Sequence, residues 1–120
     1  MTKTFPNDIQ NVDLVVLGAG PAGVAAANVA SQEGTDVVII DENSSAGGQI
    51  YRAPPNEFKP HDSFKSDEYQ EGEKQRKILK NSNVKALFKH RVWSISSDLV
   101  VSTVGPNGLS SWHTRSLIIA

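Results

Sequence analysis

Cysteine is absent from the 120 residues. That excludes disulfide staples, Cys-ligated zinc, iron–sulfur clusters and a catalytic or redox-active thiol from this stretch. Basic residues are not in excess either: 12 Lys and Arg stand against 13 Asp and Glu, for a net charge of −1. A nucleic-acid groove or a polybasic membrane anchor needs the opposite balance, and neither is expected. No apolar run approaches the roughly 18 residues of a membrane span. Residues 12–30 imitate a secretory signal only superficially, because Asp8 and Asp13 offset Lys3, and Gly18, Gly20 and Pro21 interrupt the run. A cytoplasmic protein is expected. The three histidines, His61, His90 and His113, are widely separated and form no ligand pair at helical spacing. No metal site is expected, and each histidine reads as exposed or as part of the core.

What is present is unevenly spread. Residues 12–40 hold 17 apolar side chains, residues 51–77 only 5, and residues 78–120 another 19. The length is below the ~150 residues used as a prior for one domain. One packed core is therefore expected, with a polar stretch in its middle. Residues 1–11 are polar, carry Pro6 and read as a disordered leader. Val12 to Leu17 is a Val-rich run without alternation, as in a parallel strand buried on both faces. Pro21 can open a helix, since the first helical position needs no backbone donor. The alanine-rich residues 21–33 end at Gly34, a suitable C′ cap. Val37 to Ile40 is a second buried strand, so the unit reads as a βαβ crossover.

Residues 43–66 read as loop, and 67–81 as an exposed helix ending in Lys77-Ile78-Leu79-Lys80. Residues 84–88, 91–95, 99–104 and 117–119 read as extended. Gly105-Pro106-Asn107-Gly108 is a strong turn signal, with Pro pre-set at one corner and Asn-Gly tolerant of positive φ. An apolar run that stops at Ile119-Ala120 without a turn suggests a sequence cut from something longer.

The chemistry lies in Gly18-Ala19-Gly20-Pro21-Ala22-Gly23. In a G-x-G-x-x-G loop the first glycine permits the tight turn and the second lets a pyrophosphate lie against bare backbone. The third lets helix and strand pack closely. The phosphates then meet the helix N-terminus, where unpaired N–H groups and the macrodipole favour negative charge. Alone, the triplet is a weak signal. It gains weight from the strand before it, the small-residue helix after it, and Asp41, which stands 18 residues beyond Gly23. A ribose-binding carboxylate is expected ~20 residues on. Asp41 accepts hydroxyl hydrogen bonds from an unmodified ribose and repels a 2′-phosphate, which disfavours NADP here without separating FAD from NAD. Strand alternation puts Glu42 on the opposite side. Gly47-Gly48 lets a second piece of backbone approach a long ligand, which suits a dinucleotide.

The combination DLVVLGAGPAGVAAA, then VVIIDEN, then AGGQIYR resembles the N-terminal FAD-binding half of two-dinucleotide-domain flavoproteins with the thioredoxin-reductase-like fold. Within that group it is most similar to the large FAD subunits of opine oxidases, bacterial hydrogen cyanide synthase and D-hydroxyproline-type dehydrogenases. The resemblance is specific over residues 12–52 and looser over 84–120. It implies that Gly18, Gly20, Pro21, Ala22 and Gly23 cradle the FAD pyrophosphate and that Asp41, with Glu42 beside it, holds the adenosine ribose. It also implies that Gly48 and Gln49 lie along the phosphate–ribityl portion, that Arg52 faces the flavin, and that the backbone of Val92 meets adenine. Ala120 would be the first residue of an Ala-Thr-Gly motif that contacts the nucleotide. Many relatives carry Glu where Asp41 stands, so Asp shortens the reach by one methylene. Glutathione-type disulfide reductases place a cysteine pair just after the double glycine, and Gln49-Ile50-Tyr51-Arg52 has none. Thioredoxin reductases keep theirs in a later domain and stay open.

The expected fold is thus α/β: a Rossmann-like, three-layer FAD/NAD(P)-binding domain over 12–120, with a parallel sheet and a β-meander at 91–116, incomplete at its C-terminus. The resemblance implies a flavin-dependent dehydrogenase of amino or imino acids acting on a small molecule and passing electrons to a partner subunit or carrier. Alternatives are a pyridine-nucleotide-dependent flavin reductase, with NAD(P) bound by a part not present here, and a non-catalytic nucleotide-binding module. No residue in the stretch stands out as a catalytic acid, base or nucleophile.

Overall fold

A computed structural model describes residues 9–47 and 67–120. Eight elements follow in order: β1 (Ile9–Leu17), α1 (Pro21–Gln32), β2 (Val37–Ile40), α2 (Asp67–Lys80), β3 (Lys85–Leu87), β4 (Arg91–Ile95), β5 (Val100–Gly105) and β6 (Gly108–Ile119). The six strands form one sheet in the order β3-β2-β1-β6-β5-β4. The first four are mutually parallel, and β6-β5-β4 is an antiparallel meander. The expected parallel strands and β-meander are thus both present, joined through β6 into one mixed sheet, and the meander extends to Ile119.

Local chemistry accounts for the elements. Pro21 starts α1, and Gly34, at φ +85°, ends it. There the Gly34 N–H reaches Ser31 O and the Thr35 N–H reaches Ala30 O, the paired bonds of a Schellman cap. Gly105 and Gly108 face each other across the Pro106-Asn107 turn, with Gly108 at φ +111°.

The strands depart from expectation in two places. β1 begins at Ile9, inside the expected leader, because Ile9, Gln10 and Asn11 pair with Ser111, Trp112 and His113. β6 runs unbroken through the polar segment that separated two expected strands. It is partner to β5 over its first half and parallel neighbour to β1 along most of its length.

One constraint shapes the whole sheet. β3 and β4 are its opposite edges, yet only residues 88–90 connect them. Six flat strands would put the edges about 24 Å apart, whereas the step from Leu87 to Arg91 spans at most about 14 Å. The sheet must roll. The meander curls over one face, and Val101 and Trp112 pack in a cluster with Val12, Val15, Val38 and Ile40. The Lys85 ammonium on β3 lies 4.9 Å from the Trp112 ring centroid. On the other face Leu14, Val16, Val37 and Ile39 pack with Val24 and Ala27 of α1 and Leu79 of α2. The result is three layers: helices, parallel strands, meander.

Candidate nucleotide site

Where β1 and β2 end, neighbouring parallel strands lead away in different directions, β2 to one side of β1 and β6 to the other. In open α/β sheets ligands bind at such a switch point, outside the carboxyl ends of the strands. A cleft of about 400 Å³ lies here, lined by Leu17 and Gly18 at the end of β1, Ile40 to Asn43 at the end of β2, and His90 and Val92 from the far edge.

The glycine loop is fixed by backbone on every side. The Gly18 N–H donates to Ile40 O at 2.8 Å, the Gly47 N–H donates to Ala19 O at 2.8 Å, and the Ala120 N–H donates to Leu17 O at 2.9 Å. Gly18 sits at φ +108°, a conformation natural to glycine, and a Cβ there would come 2.8 Å from Ala120 O. A Cβ on Gly23 would overlap the Gly18 carbonyl oxygen and touch the Ala120 methyl. Gly18, Gly23 and Ala120 thus form one close packing of strand, helix and strand.

Gly20 is the N-cap of α1, makes no side-chain cap hydrogen bond, and the first turn holds no acidic residue. The amides of Ala22 and Gly23, which have no intrahelical acceptor, and the bare Gly20 backbone form a cradle that suits an anion. A pyrophosphate fits these residues.

Asp41 does more than wait for a ligand. Its Oδ2 accepts from the Ala19 N–H at 2.6 Å and its Oδ1 from the Asn43 N–H at 2.8 Å. The half-buried carboxylate therefore ties the glycine loop to the end of β2. An ionised carboxylate offers about four lone-pair sites, so room remains for ribose hydroxyls.

Glu42 also lines the cleft, against the expected alternation. β2 ends at Ile40 and the chain bends, so the two-residue period no longer applies beyond it. Its Oε1 lies 3.5 Å from an Arg91 guanidinium nitrogen, with the two side chains 68% and 73% exposed.

Most of the site residues expected from the sequence therefore converge. Gly18, Gly20, Pro21, Ala22 and Gly23 build the loop, Asp41, Glu42 and Val92 line the cleft, and Ala120 packs under the loop. Gly48, Gln49 and Arg52 lie outside the described residues. Asn43 and His90 were not foreseen. The Asp41–Asn43 contact is an Asx-type bond over two residues, a signal readable in Asp-Glu-Asn. For His90 no such signal exists, since it reaches the cleft only because the sheet rolls.

Among the described residues no helix is long and apolar enough to cross a membrane. Residues 13–72 match the family model described as FAD dependent oxidoreductase. An opine oxidase subunit from Agrobacterium tumefaciens (strain Ach5) is 39% identical over 85 residues, covering 71% of this chain and 17% of that protein. The crystal structure of L-proline dehydrogenase from P. horikoshii superposes with a TM-score of 0.71 at 22% identity, over 98% of this chain and 24% of that one. The structure of T. acidophilum thioredoxin reductase gives 0.69 at 28% identity, over 92% and 35%. The chain spans about a sixth of the length of that opine oxidase protein. With the glycine cradle, the βαβ unit and the family match in agreement, this chain belongs to the FAD-dependent oxidoreductase family.

Proposed function

We propose that residues 9–120 form the part of a flavin-dependent dehydrogenase that grips the ADP half of FAD. One observation carries this reading. An uncapped helix N-terminus is tied, through the Ala19–Asp41 bond, to a carboxylate that follows the next strand and lines the cleft. In this reading the amides after Gly20 receive the pyrophosphate, Asp41 receives the adenosine ribose, and Val92 borders the base. Glu42, Gly48, Gln49 and Arg52 keep their proposed places along the cofactor. The bound flavin supplies the redox chemistry, accepting electrons from substrate and passing them on. The chain's residues bind and orient it. Asp41 holds the loop in its receptive shape.

The substrate class we infer is an amino or imino acid, with electrons leaving to a partner subunit or carrier. The support is similarity to a protein named as part of an opine oxidase and fold likeness to a proline dehydrogenase. A pyridine-nucleotide-dependent reductase is the second reading, favoured by the 28% identity to a thioredoxin reductase. The test is direct. The purified protein should be yellow and release FAD, not FMN, on denaturation, and it should bleach with an imino-acid-forming substrate but not with NADH. A colourless protein that binds only NAD would overturn the flavin reading. Bleaching by NADH alone would favour the second one.

A further inference from the structure

His90 is drawn into the cleft by an arrangement that the ADP-binding reading does not require. Its imidazole Nδ1 lies 2.7 Å from the Phe88 carbonyl oxygen. A carbonyl only accepts, so Nδ1 carries the hydrogen and the ring is tethered at one corner. The other side of the ring rests on Gly105, where a Cβ would overlap Nε2, Cδ2 and Cε1. The backbone around it is pinned as well: the His90 N–H donates to Asp41 O at 3.1 Å, and the Lys89 N–H donates to Asn43 O at 2.9 Å. Lys89 turns through φ +59° to make that crossing. Tether, floor and backbone hold the ring where His90 lines the cleft.

We propose that His90 sets the width of the base end of the cleft and favours a purine there, and that Gly105 is glycine in order to seat it. The inference rests on the reading of the cleft as an ADP site and deepens it. A flat aromatic wall beside a base contributes by stacking, which scales with the size of the base and is largest for purines. Substituting such a platform by alanine weakens binding by roughly 5- to 150-fold per base. Gly105 has no part in the glycine loop and stands at the far end of β5, and the three atoms nearest an added Cβ all belong to the His90 ring, which links it to the cleft.

The experiment is a double-mutant cycle in the intact protein stripped of flavin, titrated with ADP and with UDP. His90→Ala should weaken ADP by roughly fivefold or more and UDP distinctly less. Gly105→Ala should weaken ADP by about tenfold, as the displaced ring fills the cleft. In the His90→Ala background the same Gly105→Ala change should alter ADP binding by less than about twofold. Melting curves accompany each variant. If Gly105→Ala alone fails to fold, the double variant should fold, and failure of both overturns the proposal. Equal cost of Gly105→Ala in both backgrounds overturns it too, as does equal loss of ADP and UDP in His90→Ala. Those outcomes leave tight ADP binding by the unaltered protein intact and so spare the nucleotide reading. No ADP binding by the unaltered protein removes both.

Discussion

The two walls of the cleft are built in opposite ways. The near wall, Leu17-Gly18 and Ile40 to Asn43, comes from one strand–helix–strand unit and is closed within it: a glycine turn, a proline helix start, a carboxylate reaching back to Ala19. The far wall is His90 and Val92, and it exists only because three residues join opposite edges of a sheet that must therefore roll. A wall held by backbone geometry is specified by a motif. A wall held by the packing of distant strands is specified by the core beneath it. The two should fail differently when broken.

The far wall should suffer the largest loss. Trp112 is 2% exposed and lies at the centre of the cluster that fixes the meander over the parallel strands. Trp112→Ala should cost about 3–5 kcal/mol, a large share of a typical domain's stability. Its Nε1 finds no acceptor among the described residues, so Trp112→Phe loses no hydrogen bond and should cost much less. Urea midpoints of both variants decide this. If alanine and phenylalanine are equally mild, the meander is not held by this cluster.

Breaking the near wall should separate binding from stability. Gly23→Ala drives a methyl into the Gly18 carbonyl. Backbone must move, at about 1–3 kcal/mol for an overpacked site, and the moved backbone is the anion cradle itself. Flavin content after purification should fall to near zero while most of the protein remains folded. Full flavin occupancy in Gly23→Ala would show that the loop does not hold the phosphates.

Asp41→Ala comes next. Hydrogen bonds to a charged group contribute about 1.5–3 kcal/mol, equivalent to a loss of roughly 10- to 150-fold in FAD affinity. The variant should also melt lower, because the Ala19 and Asn43 amides lose their acceptor. Asp41→Asn keeps an acceptor oxygen for one amide and should recover part of the stability but little of the affinity. If both variants bind FAD as tightly as the unaltered protein, the ribose is held elsewhere.

The near wall is legible in the sequence for a physical reason: tight turns and helix starts need particular residues, and Gly18, Gly20, Pro21 and Gly23 supply them in order. The buried runs at Val12 and Val37 are legible because they are apolar on both faces. β6 is not. Its middle, Ser110, Ser111, His113, Arg115 and Ser116, is polar because much of it faces water, and pairing with β1 and β5 makes it a strand. The same non-local pairing keeps Ile9 hidden in an apparent leader. His90 is illegible for the same reason, since nothing in Phe-Lys-His-Arg announces that Gly105 lies beneath the ring. What sequence conveys best is local geometry, and the site needs one wall of each kind.

Glu42→Ala should have the smallest effect, and it tests whether lining the cleft amounts to holding the ligand. Strand alternation and the structure disagree on where Glu42 lies, and the structure puts it on the cleft beside Asp41. Position alone is a weak argument for a role. Glu42 is 68% exposed, and the pair it makes with Arg91 is at 3.5 Å between side chains that are mostly in water. Such pairs are worth about 0–1 kcal/mol, less in salt. Asp41, in contrast, is anchored at 2.6 Å and 2.8 Å to two backbone amides, so its oxygens are already aimed before a ligand arrives. Removing a second negative charge near a pyrophosphate also relieves some repulsion, which offsets any lost contact. Glu42→Ala should therefore bind FAD within about threefold of the unaltered protein and melt within the range of ordinary surface substitutions, about ±0.5 kcal/mol. Fluorescence titration of the two apoproteins side by side, at low and at physiological salt, makes the comparison. A loss in Glu42→Ala as large as that in Asp41→Ala would mean that the bend after Ile40 presents both carboxylates to the ribose, and that preorganisation of Asp41 by the loop is not what singles it out.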